Sequence, residues 1–224
     1  MSRIAAVVTA LATGLAILGI VVVVLLSPPY IHLALGSAES AASLAVSPEG
    51  AQALSDRTVG ELVFGPGSFA FPIAEGRPAF YDAAEVSHLR DARAVLYGLG
   101  VAVIVAVLML AVSIVRRRRD VRFWRSVAGG AAALAVVFAV IGAVFLVAFD
   151  AAFTLFHEIF FPGGNWSFDP ATEHLVQLYP IPFWELTTTV LGGLVIALGA
   201  LVWWVARQRA ARLAAAVLAG GLAV

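Results

Sequence analysis

Four histidines, His32, His88, His157 and His174, are the side chains of this 224-residue sequence that titrate near neutral pH. Two have a setting suited to chemistry. In Glu85-Val-Ser-His88-Leu-Arg-Asp91 a carboxylate stands three residues to either side of a histidine. On a helix, positions three apart share a face, so Glu85, His88 and Asp91 form one polar stripe. His157 lies in Phe153-Thr-Leu-Phe-His-Glu-Ile-Phe-Phe161, a run so apolar that it belongs at a membrane interface. An imidazole near its pKa takes or gives a proton, and a neighbouring carboxylate fixes its tautomer. The pattern points to proton transfer near neutral pH.

Other chemistries find little support. The chain has no cysteine, and all 14 basic residues are arginine. A thiol nucleophile, a disulfide and a lysine Schiff base are therefore excluded. No Gly-x-Ser-x-Gly elbow is present. His157-Glu158 begins like a zincin motif, but Phe161 stands where the second histidine belongs. A composite zinc site from His88, His157 and a carboxylate stays open, because catalytic zinc takes three protein ligands. His32 and His174 read as structural.

The elements that position the two rings belong to a membrane protein. Hydrophobic residues make up 62% of the chain and charged residues 12%, against about 45–50% and about 25% in soluble domains. The formal net charge is zero, so no nucleic-acid partner is expected. Four charge-free windows, 4–26, 94–115, 128–149 and 187–205, are long enough to span a bilayer. The first is longer than a signal-peptide core and is followed by Pro28-Pro29, so it reads as a retained helix. The link 116–125 holds six arginines, and Arg207, Arg209 and Arg212 follow the last span. The loop 150–186 has five acids and no arginine. Basic residues stay on the cytoplasmic side. The expected topology puts both termini inside and segments 27–93 and 150–186 outside, with all four histidines. His88 lies six residues before its span, roughly 9 Å at about 1.5 Å per residue, which is glycerol depth. His157 reaches a similar depth from the third span.

The expected fold class is an all-α membrane protein, one domain over 1–224. It is a four-transmembrane-helix bundle with a small extracytoplasmic cap from the two outer loops. Ser47-Pro48-Glu49 reads as the start of a helix over 48–62, and Gly65-Pro66-Gly67 as its break. Segment 68–78 is expected to be irregular, with a short extended piece. Asp82-Ala-Ala-Glu85 is a capping box opening a helix into the second span, a role for Glu85 that competes with orienting His88. Asp169 is a candidate cap for a helix over 171–177, and Asp150 is expected to pair with Arg90 or Arg93. The small residues Gly129, Gly130, Ala131–Ala133 and Ala135 suit close packing of the third span, and Trp184, Trp203 and Trp204 an aromatic belt.

Glu85-x-x-His88-Leu-x-Asp91 does not stand alone. Together with Phe156-His157-x-x-Phe160-Phe161-x-x-Gly164-Asn165-Trp166-x-Phe168-Asp169-Pro170 and Leu178-Tyr179-Pro180, it resembles a family of small bacterial integral membrane proteins that includes the lipoprotein intramolecular transacylase. The resemblance covers most of the chain. It implies transfer of an acyl chain from the diacylglyceryl group of a lipoprotein to the α-amine of its N-terminal cysteine, giving the lyso-form. The family's two essential histidines fall on His88 and His157. This chain has Ala92-Arg93 where similar proteins tend to have Val-Lys, and Glu173 where they often have an acid. In the implied chemistry His88 is the base, oriented by Glu85 or Asp91, and His157 the donor, with the reverse assignment also open. Asn165 and Trp166 would offer N–H groups to the oxyanion or shape the acyl groove, with Asp169 in the same block. No cofactor is implied. The partners are the diacylglyceryl lipoprotein and membrane lipid, and the oligomeric state is not readable. Two other classes stay open, a metal-dependent interfacial hydrolase and a non-catalytic membrane protein that binds a partner through its cap.

Overall fold

The structure is a computed structural model that describes residues 1–73 and 76–221. Ala74 and Glu75, inside the stretch expected to be irregular, lie outside the described residues. Nine helices are present among them: α1 Arg3–Leu25, α2 Pro28–Ser37, α3 Ser40–Ser43, α4 Pro48–Val63, α5 Ala83–Arg117, α6 Val121–Val147, α7 Phe149–Phe160, α8 His174–Leu178 and α9 Ile181–Gly221. Four of them, α1, α5, α6 and α9, are long and apolar enough to cross a membrane. Within a bilayer core a helix is one of the few ways to satisfy every backbone N–H and C=O internally. Large apolar side chains such as Val101, Ile104, Leu108 and Leu146 are exposed on these helices, as lipid-facing residues are.

The chain divides into two compact units. The first comprises Met1–Val22, Leu99–Ala143 and Leu191–Val224. Small residues set its helix spacing. A Cβ added to Gly130 would lie 2.2 Å from the Ala10 carbonyl oxygen, and one on Gly199 3.1 Å from that of Ala131. Backbones approach this closely only where one side chain is a hydrogen atom. Gly129 meets nothing within 4 Å. Phe123, Val127, Ala128 and Ala206 form a buried cluster in this unit.

The second unit comprises Val23–Gly98 and Val144–Val190. Its core includes Leu35, Leu54, Phe69, Phe80, Tyr81 and Leu178. Buried polar groups are paired across it. The hydroxyls of Ser55 and Tyr179 lie 2.8 Å apart, and those of Thr58 and Tyr81 2.7 Å apart. Ser47 caps α4, its Oγ accepting from Gly50 N at 3.1 Å. α4 ends just before Gly65-Pro66-Gly67, where Gly67 takes a φ of 74°. Among the described residues of the irregular segment, Pro72 and Ala79 form an antiparallel bridge.

Several local expectations need correction. Pro28-Pro29 stops α1 and also opens α2, because proline fits the first helical turn. Neither α2 nor α3 was anticipated. α6 ends at Val147, and α7 begins at once with Asp150 in its first turn. There the carboxylate faces the positive end of the helix dipole. Asp150 does not pair with arginine, since Arg90 and Arg93 donate instead to the carbonyls of Gly67, Glu61 and Gly65. α8 starts at His174 with Glu173 as N-cap, while Asp169 closes the preceding turn by accepting from Ala171 N at 2.9 Å.

Candidate active site

All residues of the candidate site lie in the second unit. α5 begins with a reciprocal capping box. Asp82 N donates to Glu85 Oε2 at 2.7 Å, and Glu85 N donates to Asp82 Oδ1 at 2.8 Å. The other oxygen of Glu85 accepts from Leu175 N at 2.6 Å. Glu85 is 1% exposed. Its carboxylate is thus spent on backbone amides and ties α8 to the start of α5. This is the capping role, and neither oxygen bonds to His88 among the described residues.

One turn further, His88 is half-buried against Phe161 and Phe168, with ring centroids 4.6 and 5.6 Å away. Its Nδ1 is buried and has no partner among the described residues. His157 comes from the last turn of α7 and is 8% exposed. Its Nδ1–H donates to the carbonyl of Phe153, four residues back, at 2.8 Å. Burial pushes the His157 imidazole below its ordinary pKa, and the Phe153 carbonyl acts in the opposite sense. The rings of His88 and His157 stack with centroids 6.0 Å apart and planes 26° from parallel. The His157 ring is covered by Trp166 at 5.1 Å and by Phe153 at 4.1 Å. The pair is therefore walled by aromatic rings.

The loop after α7 is fastened to α5 by Asn165. Its Nδ2 donates to Asp91 Oδ2 at 2.7 Å and to Ser87 Oγ at 3.1 Å. Both amide hydrogens are engaged, so the Asn165 side chain has no N–H left for an oxyanion. Its Oδ1 is buried without a partner among the described residues. Asp169 holds a turn and does not meet the histidine pair. His32 pairs with Asp56 at 2.9 Å. His174 bonds through Nδ1 to the Phe80 carbonyl and stacks on the Phe80 ring at 4.7 Å. Among the described residues no three His, Cys, Asp or Glu side chains converge on a common point that would hold a metal ion. Four contributors were missed by sequence reasoning: the Phe153 carbonyl, Ser87, and the Phe161 and Phe168 walls. Only the i−4 spacing of Phe153 to His157 carried a local signal.

The architecture has solved counterparts. Three crystal-derived chains of the membrane-integral lipoprotein intramolecular transacylase Lit from Bacillus cereus share it. One is 12% identical, with 94% of this chain and 96% of that chain covered, at a TM-score of 0.78. Two carrying a histidine replaced by arginine or alanine are 11% identical, cover 94% of this chain and 92% or 94% of theirs, and reach TM-scores of 0.74 and 0.75. At this identity the likeness establishes the fold, a multi-pass all-α membrane protein. Among curated protein sequences none matches. Residues 63–184 match the family described as "Lipoprotein intramolecular transacylase Lit". That span is more than half of the chain and contains both rings, Glu85, Asp91, Asn165, Trp166 and Asp169, so this chain belongs to the lipoprotein intramolecular transacylase family.

Proposed function

We propose that this protein is a membrane acyltransferase acting within one lipoprotein molecule. It moves an acyl chain from the diacylglyceryl group to the α-amine of the N-terminal cysteine and releases the lyso-form lipoprotein. The observation that carries the reading is the stacked histidine pair and its unequal hydrogen bonding, from which opposed tautomers follow. His157 gives its Nδ1 proton to the Phe153 carbonyl, so its Nε2 presents a lone pair. His88 buries Nδ1 without an acceptor. A buried N–H without a partner is rarer and costlier than a buried lone pair, so the His88 proton belongs on Nε2. One ring then offers a base and the other a donor. This is the reverse of the assignment favoured from sequence.

The chemistry balances without an added reagent. The amine nitrogen attacks the ester carbonyl and forms the C–N bond. His157 Nε2 takes the proton that the nitrogen loses, and His88 Nε2–H stabilises the tetrahedral oxyanion. The C–O bond breaks, and the imidazolium of His157 returns its proton to the departing glycerol oxygen. The Phe153 carbonyl supports that imidazolium while it exists. Amine and ester arrive on one molecule, which supplies the proximity advantage. The aromatic wall excludes water that would hydrolyse the ester. The acyl chains stay in lipid. The arginine-rich link faces the cytoplasm and the pair faces the opposite side, at the level of the lipid esters.

The test is mass spectrometry of a reporter lipoprotein's N-terminal peptide. Wild type should give an N-acylated cysteine carrying one glyceryl acyl chain. His88→Ala and His157→Ala should each lower that product by about 10²–10⁴-fold while the protein stays inserted and folded. Full product from either variant removes the assignment. Net loss of an acyl chain would instead mark a hydrolase.

A further inference from the structure

Asp91 is a carboxylate without a counter-ion. Its Oδ2 accepts from Asn165, and among the described residues it takes part in no ion pair. The arginines beside it in sequence are committed elsewhere. Arg90 donates to the Gly67 carbonyl, and Arg93 to those of Glu61 and Gly65. Yet α5 keeps Asp91 exposed three residues before its charge-free run, where an unpaired acid is expensive.

Two acceptors without donors sit over the same turn of α5. Asn165 rests on Ser87 and Asp91, which flank His88, and its Oδ1 is sealed from solvent. The amide cannot be turned to relieve this, because Oδ1 would then face the Asp91 carboxylate. His88 Nδ1 is the other. One carboxylate and two unpartnered lone pairs, set against the Asn165 amide alone, leave a local negative potential. Its complement is a cation that carries N–H donors.

We propose that Asp91, held in place by Asn165, binds the α-ammonium of the substrate's N-terminal residue. Identifying that ammonium rests on the transacylase reading given above. The α-amine of a peptide has a pKa of about 8 and arrives mostly charged at neutral pH. Asp91 lies one helical turn from His88, so it would hold the nitrogen beside the pair; the ammonium first gives one proton to solvent, and the neutral amine then attacks, with His157 Nε2 taking the proton lost on attack. Asp91 is then a specificity-determining residue: it admits a free primary amine next to a glyceryl group and gives nothing to one already blocked.

The experiment compares two lipopeptides with ether-linked alkyl chains, which cannot undergo acyl transfer. One has a free α-amine and the other an N-acetylated cysteine. Binding is measured to the full-length protein in nanodiscs. Wild type should bind the free amine about tenfold tighter, the size of one charge-assisted hydrogen bond. Asp91→Asn keeps an acceptor for Asn165 and should erase the difference, while Asp91→Glu should keep part of it. Should Asp91→Asn fail to fold, Asp91→Ser takes its place under the same criterion. Equal binding of the two peptides by wild type overturns the proposal, as does a gap that survives loss of the carboxylate. Turnover of the diacyl peptide is scored separately. Its absence would sink the transacylase reading, while the amine gap would still decide the role of Asp91.

Discussion

His157 carries two opposing influences on one ring. Burial disfavours its imidazolium, and the Phe153 carbonyl favours it, with burial the larger. A base must be neutral to accept a proton, so a lowered pKa keeps His157 competent across neutral pH. The sign follows directly: the base is fully competent above the lowered value and is lost as pH drops through it. In a kcat/KM profile the acid limb should lie below about 6.5, the ordinary histidine value, with a second limb near about 8 from the substrate amine. Trp166→Ala uncovers the His157 ring and relieves desolvation. Its acid limb should move up toward the ordinary value, measured as initial rates of lyso-form production against pH. An acid limb that stays put in Trp166→Ala would mean that Trp166 does not control the burial of the base. Which ring is base was not legible in the sequence. It depends on the Phe153 carbonyl and on the Phe161 and Phe168 walls around His88, contacts set by chain geometry rather than residue type.

At the scale of elements, the capping box of α5 does more than start a helix. Glu85 gathers amides from Asp82 and Leu175, so one carboxylate fixes both the first turn of the His88 helix and the approach of α8. Glu85→Ala removes an acceptor from two amides, one of them buried. The expected result is a loss of about 2–4 kcal/mol, read as a lower melting temperature, with reduced activity in proportion. A melting temperature equal to wild type would return Glu85 to the alternative role of orienting His88. Gly130 is the matching device in the first unit, since a side chain there would strike the Ala10 backbone. Gly130→Val should be recovered from membranes at clearly lower yield, whereas Gly129→Val, with open space around it, should not. Both glycines looked alike in the sequence, because composition marks a helix as packable without saying which face meets a neighbour. The long spans, the Ser47 cap and the Asp82–Glu85 box were legible because their signals are local. The break at Ala148 was not, since no glycine or proline marks it.

For the whole molecule, arginine placement is the feature on which the proposed orientation rests. The apolar runs of α1, α5, α6 and α9 would insert equally well either way, and hydropathy alone cannot choose. Six arginines in the link between α5 and α6 and three in the last part of α9 lie on one side of the spans. The loop after α6 has none, and it carries His157, Asn165 and Trp166. If arginine is retained in the cytoplasm, the histidine pair is exposed to the opposite compartment, where a lipoprotein's lipidated N-terminus would be met. The absence of cysteine makes this directly measurable, since any introduced thiol is the only one in the chain. Gly163 is exposed and has open space at its Cβ, and Gln208 is exposed on α9 without contributing charge. In intact cells, a membrane-impermeant maleimide should label Gly163→Cys and leave Gln208→Cys untouched until the membrane is permeabilised. Labelling of Gln208→Cys alone would invert the topology and place the pair in the cytoplasm. Equal labelling of both would mean mixed insertion, which six arginines in so short a link oppose, because each inverted copy must carry all of them across the bilayer.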